Sequence, residues 1–183
     1  MKLKHYLGFV GAIAGLSLTA CTTPTVSQRQ PPFSKPSTTL RAVPVDKTKL
    51  VMGQTLYVPI YSHIYHFNSQ DRVMNLSATL SVRNTDLTNP IILTSVRYYN
   101  TEGQLLRQDL TGPVELKPLA STDFFVAAND DSGGAGANFI VEWVAEKKVY
   151  EPVVEAVMIN SSSAQGISFI SPARVLKQFG MQN

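Results

Sequence analysis

The feature that most constrains the fold is a series of short segments in which apolar and polar side chains alternate. The clearest is Leu76–Arg83, where four apolar side chains alternate with three hydroxyls and a guanidinium. A period of two residues places one set of side chains on each face of a β-strand. The segment is therefore predicted to form a strand with one dry face and one wet face.

Similar segments recur between turns that contain Gly, Pro, Asn or Asp. They lie at about residues 55–61, 91–99, 104–110, 114–116, 122–127, 138–146, 153–160 and 167–171. The pattern predicts an all-β fold, an antiparallel immunoglobulin-like β-sandwich of about seven to nine strands. A β-barrel is the alternative. Trp143 is expected at the centre of the core, and Pro59 is expected to restrict its strand to an edge or a bulge.

A helical pattern occurs only near the end of the chain. After Pro172, the apolar residues Val175, Leu176 and Phe179 fall at helical spacing. This spacing predicts a short C-terminal helix that Pro172 opens.

The first 20 residues have the three parts of a secretory signal. Lys2 and Lys4 give a basic start, an apolar run follows, and small residues precede Cys21. The stretch Leu18–Cys21 resembles the bacterial lipobox, which implies cleavage after residue 20 and a diacylglyceryl lipid, with acyl chains such as palmitate, on Cys21. The alternative is a soluble periplasmic protein in which Cys21 is incidental.

The residues after Cys21 extend this interpretation. Residue 22 is Thr rather than Asp, and by resemblance to lipoprotein sorting signals this implies a cell-envelope location at the outer membrane, facing the periplasm. Residues 21–46 are rich in Pro, Ser and Thr, a composition typical of an extended spacer. The domain prediction is a signal peptide at 1–20, a lipidated tether at 21–46 and a β-sandwich at 47–183.

Composition argues against several functional classes. Cys21 is the only cysteine, so neither an intrachain disulfide nor a thiolate metal cluster is expected. Without Lys2 and Lys4, the 14 other Lys and Arg residues nearly balance 13 Asp and Glu residues, which predicts no nucleic-acid partner. No nucleophile motif occurs. The protein is therefore predicted not to be an enzyme.

Two groups of residues are candidate metal or ligand sites. Imidazoles and carboxylates suit Zn²⁺ or Cu²⁺, and acidic loops suit hard cations. The candidates are His63, His66 and Asp71 in one segment and Asp130 and Asp131 in another. However, residues three apart on a strand point to opposite faces, so one ion could hold both imidazoles only if the strand ends between them. The alternative is ordinary hydrogen bonding.

A candidate recognition surface combines tyrosines with a glycine-rich loop. The tyrosines are Tyr57, Tyr61 and Tyr65, and the loop runs from Asn129 to Gly136 and includes Gly133 and Gly134. Tyrosine is common at interfaces. The alternative is that the tyrosines flank the core, while the loop residues serve turns that need a positive φ.

Four sequence segments together resemble the bacterial domain-of-unknown-function family 3124. They are Gly53–Tyr65, Leu80–Asp86, Gly133–Phe139 and Ile167–Phe169. The resemblance spans roughly residues 50–175 and implies a family label without an activity. The expected function is a lipid-anchored envelope protein whose non-catalytic β-sandwich serves binding or envelope organisation. Its expected partners are the membrane and another envelope protein, with no cofactor beyond the lipid on Cys21. The alternative is a metal-binding, or metal-dependent enzymatic, lipoprotein that uses His63 and His66.

Overall fold

A computed structural model describes residues 40–162 and 165–180. Within these residues the chain forms thirteen strands and one short 3-10 turn, Lys47–Lys49. The strands are β1 (Arg41–Ala42), β2 (Met52–Pro59), β3 (His63–His66), β4 (Ser69–Asn75), β5 (Ser77–Arg83), β6 (Ile91–Tyr99), β7 (Leu105–Gln108), β8 (Val114–Leu116), β9 (Ser121–Val126), β10 (Asn138–Ala145), β11 (Val153–Asn160), β12 (Ile167–Pro172) and β13 (Arg174–Phe179).

These strands form two main antiparallel sheets and a separate hairpin. The larger sheet has the order β1-β8-β6-β10-β2-β13, with β7 also paired to β6. The smaller sheet has the order β12-β11-β5-β9, and β3 pairs only with β4. In this described part of the chain, no helix is long and apolar enough to cross a membrane.

The core lies between the two main sheets. The alternation read from the sequence is seen in β5, where Ala78, Leu80 and Val82 are buried, and in β10, where every second residue from Phe139 to Ala145 is buried. Residues of both sheets form one apolar cluster, so the fold is a β-sandwich, as predicted. Trp143 is fully buried, as expected, and its indole N–H donates to Gln54 Oε1 at 3.2 Å.

The predicted C-terminal helix is wrong, because this segment is strand β13. It pairs with β2 from Arg174 opposite Tyr57 to Phe179 opposite Gly53, and the register shifts between Val175 and Lys177. This β-bulge inserts one extra residue into the alternation. The insertion gives the apolar residues a helix-like spacing although they lie on an edge strand.

The expectation for Pro59 is also wrong. Strand β2 is internal, between β10 and β13, and Pro59 is its last residue. Pairing with β13 begins only at Tyr57, so the missing N–H of Pro59 breaks no hydrogen bond to that neighbour. The strand count exceeds the prediction because short strands such as β1 and β3 carry too few residues to show alternation.

The chain enters the sandwich at one end, and the β3–β4 hairpin extends from the opposite end. Strand β1 pairs with β8 through Arg41 opposite Glu115, which places Leu40 at the end where β6 begins. The β3–β4 hairpin instead connects the last residue of β2 to the first of β5, at the end where β6 finishes. We call the latter the hairpin end.

Candidate binding surface at the hairpin end

The hairpin end is dominated by the β3–β4 hairpin. His63 pairs with Asn75 and His66 pairs with Ser69, which leaves the two residues Phe67 and Asn68 as the loop. Their φ angles are 53° and 52°, as a type I′ turn requires. Asn tolerates this left-handed region, but for a bulky residue such as Phe it is uncommon and costs free energy.

The hairpin exposes a cluster of large side chains. Ile64 packs against the core, whereas Tyr65 is 51%, Phe67 76% and Val73 48% exposed. The Arg72 guanidinium carbon lies 5.8 Å from the centroid of the Phe67 ring, within the range of a cation–π contact. We call Tyr65, Phe67, Arg72 and Val73 the hairpin patch.

Two of the three tyrosines predicted for recognition lie outside this patch. Tyr57 is half-buried in the middle of the larger sheet, opposite Ile140 of β10. Tyr61 makes an edge-to-face contact with Phe169 of β12, with ring centroids 5.8 Å apart. Only Tyr65 belongs to the exposed cluster. Membership of the hairpin patch therefore depends on a residue's position in the hairpin rather than on its type.

The loop Asn129–Gly136 is held down by backbone hydrogen bonds. Thr101 donates to Gly133 O from both its N–H, at 2.9 Å, and its hydroxyl, at 3.0 Å. Gly136 N donates to the same hydroxyl at 3.0 Å, and Ser62 N donates to Gly134 O at 3.0 Å. The loop therefore fastens the base of the hairpin to the turn after β6.

The glycines of this loop are required by close packing. A Cβ on Gly133 would collide with the Tyr98 hydroxyl and lie 2.8 Å from Ser62 Oγ. Gly134 has a φ of 73°, which favours glycine. The hydroxyl of Tyr98 is 3.1 Å from Ser62 Oγ; burial raises the pKa of Tyr98, and the hydrogen bond to Ser62 partly opposes this rise.

The candidate metal ligands have other contacts or lie exposed. The His63 ring contacts the Tyr65 ring at a centroid distance of 5.6 Å, and the His66 ring lies 4.3 Å from that of Phe67. Asp71 is exposed on β4, as is Asp131 in its loop, whereas Asp130 accepts hydrogen bonds from the N–H and hydroxyl of Ser132. Across the part of the chain that the structure describes, no three His, Cys, Asp or Glu side chains are grouped to hold a metal ion. Cys21 lies outside the described residues.

The polar motif after β5 has a structural use at the other end of the sandwich. Asn84 Nδ2 donates to the carbonyls of Asn89, Leu116 and Lys117 at 2.9 to 3.1 Å. The Asp86 carboxylate accepts from the N–H groups of Thr88, Asn89 and Tyr150. These bonds, led by those from Thr88 and Asn89, lower the pKa of Asp86. The motif therefore joins three loops.

Three members of the patch were missed from the sequence: Phe67, Arg72 and Val73. Segment 63–66 is too short to show alternation, and Phe-Asn is not one of the dipeptides that usually mark a two-residue hairpin. The available signal was the position of Asn68-Ser69 between two runs containing apolar residues, Ile64–Phe67 and Val73–Leu76. This signal predicts a turn but not which side chains are exposed.

Comparison with known proteins identifies a family. A family model described as "Protein of unknown function (DUF3124)" matches residues 53–176, about two thirds of the chain. No curated protein and no solved structure matches the chain. The matched span includes the hairpin, the loop Asn129–Gly136 and the Asn84–Asp86 motif. The chain therefore belongs to the DUF3124 family, as the resemblance of its four sequence segments predicted.

Proposed function

We propose that this chain is a lipid-anchored protein of the bacterial envelope whose non-catalytic β-sandwich binds a partner protein through the hairpin patch. The observation that carries the binding role is the side chain of Phe67, which is 76% exposed at the hairpin tip in a left-handed backbone conformation. Strain of this kind persists where the surrounding structure imposes it and is frequent at functional sites.

The composition of the patch favours a protein as the partner. Aromatic residues and Arg are enriched in protein–protein interfaces, and they dominate the residues whose loss weakens binding most. Tyr65, Phe67 and Arg72 supply these types within one hairpin. Because the Phe67 side chain is exposed at the hairpin tip, the complementary surface is an apolar pocket that receives Phe67, with a carboxylate beside it for Arg72.

The membrane anchor is supported by the sequence alone. The basic and apolar leader ends in Leu18–Cys21, the stretch that resembles a lipobox. Growth of cells with an alkyne analogue of palmitate should label the wild-type chain, whereas Cys21→Ser should abolish labelling. Fractionation should place the labelled chain with the outer membrane. A wild-type chain that stays unlabelled would refute the anchor.

Site-specific cross-linking in living cells tests the binding role. A photo-reactive phenylalanine analogue at Tyr65 of the full chain should join a defined envelope protein, and Phe67→Ala should remove that product. The matched control carries the same analogue at Leu87, which is 69% exposed in the loop after β5. The same products from both positions, or a product that survives Phe67→Ala, would contradict a role for the patch.

A further inference from the structure

A recess lies on the outer face of the larger sheet, away from the hairpin patch. It has a volume of about 270 Å³ and is formed where β13, β2 and β10 run side by side. The residues that matter for its chemistry are Gly53, Thr55, Thr94, Glu142, Lys177 and Phe179. Its size is near the lower end of the range for small-molecule sites, about 300–1,000 Å³.

Local backbone features shape this recess. A Cβ on Gly53 would lie 2.6 Å from Trp143 O and 2.8 Å from Phe179 Cε1, so the glycine lets the Phe179 ring approach the sheet. Register shifts occur on two sides, between Glu142 and Trp143 and between Val175 and Lys177. Bulges of this kind bend strands and re-aim side chains, and they recur beside active sites.

The charges around the recess favour an anion. Glu142 is paired with Arg97, whose Nη2 lies 2.7 Å from the carboxylate, so its charge is compensated. Lys177 forms no ion pair within residues 40–162 and 165–180. The Thr94 hydroxyl donates to Glu142 O at 3.2 Å, whereas that of Thr55 has no partner in the same described ranges.

From this arrangement we propose that the recess binds a small carboxylate that carries an apolar or aromatic group. Lys177 pairs with the carboxylate, the Thr55 hydroxyl donates a hydrogen bond to it, and the Phe179 ring packs against the apolar part. The recess therefore combines an apolar wall, which includes the Phe179 ring, with polar side chains such as Thr55 and Lys177, and small-ligand sites use such polar groups to orient the ligand. This proposal is independent of the lipid anchor and of the partner of the hairpin patch.

Fluorine NMR of the full chain in detergent tests the proposal with two matched probes. The resonance of 4-fluorobenzoate should broaden and shift with added protein, whereas 4-fluorobenzamide, which lacks the charge, should bind about tenfold more weakly. Lys177→Gln should weaken fluorobenzoate binding about tenfold, and Thr55→Val should weaken it severalfold. Lys147→Gln, an exposed lysine beyond β10, is the matched control and should leave binding unchanged.

Thermal unfolding of each variant separates a binding defect from a folding defect. Lys177 and Thr55 face the outer side of the sheet, so both variants should unfold within a few degrees of wild type. Three results would overturn the proposal: no fluorobenzoate binding by wild type, equal binding of both probes, or an unchanged affinity in a folded Lys177→Gln variant.

Discussion

The loop Asn129–Gly136 and the β3–β4 hairpin meet at one end of the sandwich but differ in how their side chains are used. In the loop, the glycines pack against Tyr98 and Thr101 and their carbonyls accept hydrogen bonds from neighbouring segments. In the hairpin, Phe67 is exposed in a strained conformation. The loop residues thus serve the packing and hydrogen bonding of the loop itself. The hairpin instead exposes large side chains, although the fold does not require their exposure.

This difference shows why clustered Gly, Asn and Asp are weak indicators of a binding site. Such residues satisfy turns and close contacts, as Asp130, Gly133 and Gly134 do in this loop. Exposed aromatic side chains are more informative, because burying them would stabilise the fold and the fold nevertheless leaves them in water. Substitutions in the two regions should therefore separate stability from binding.

The largest effect is expected from Gly133→Ala. The added Cβ would collide with the Tyr98 hydroxyl and crowd Ser62, so the free energy of unfolding should fall by about 3 kcal/mol. Urea denaturation of the full chain measures this loss. Gly112→Ala is the control, because a Cβ there meets nothing within 4 Å; equal stability of the two variants would mean that the loop tolerates added volume.

Phe67→Asn should change stability and binding in opposite directions. Asn adopts the left-handed conformation more readily, so the free energy of unfolding should rise by about 1 kcal/mol, while cross-linking from position 65 should fall about tenfold. Leu119→Asn is the matched control: Leu119 also has a positive φ, 58°, and is 66% exposed, but it lies in the turn before β9. That variant should gain stability and retain cross-linking; loss of cross-linking in both would refute the assignment of the patch.

Thr101→Val should weaken the attachment of the glycine loop. It removes the hydroxyl that donates to Gly133 O and accepts from Gly136 N, and the expected loss of stability is about 1 kcal/mol. Hydrogen exchange should show faster opening at Gly136. The control is Thr79→Val, on the outer face of β5, where the structure as described gives the hydroxyl no hydrogen bond. Similar losses in both would mean that the attachment does not depend on this hydroxyl.

The smallest effect concerns acid stability at the opposite end. The pKa of Asp86 is lowered by hydrogen bonds from Thr88 and Asn89, so its carboxylate stabilises the fold above the unfolded-state pKa of about 4. That contribution is lost as the pH falls through the folded-state pKa. Asp86→Asn should therefore lower the urea midpoint at pH 7, and its difference from wild type should shrink below about pH 4.

The control for this pH dependence is Asp123→Asn, an exposed carboxylate on β9. The urea midpoint of Asp123→Asn should stay close to that of wild type at both pH 3 and pH 7. If the urea midpoints of Asp86→Asn and wild type differ by the same amount at pH 3 and pH 7, the loss of stability comes from geometry rather than from charge.

Most of the sandwich could be predicted because burial of one sheet face imposes alternation on long strands such as β5 and β10. The errors have identifiable causes. One extra residue in β13 imitates helical spacing, and a two-residue hairpin loop without glycine hides the turn at Phe67. The loop Asn129–Gly136 lies next to Ser62, while its predicted role in recognition stays a prediction. Of the hairpin patch only Tyr65 was named from the sequence; Phe67, Arg72 and Val73 were missed, because exposure depends on how the hairpin packs on the core.

The opposite placement of Leu40 and the hairpin bears on which partners the proposed patch could reach. If Cys21 carries the lipid, 19 residue steps separate it from Leu40, and a fully extended chain of that length reaches about 65 Å. The patch would be carried on the side of the domain farthest from its attachment. Partners buried in the same leaflet would then be poorly accessible, whereas those standing out into the periplasm would lie within its radius.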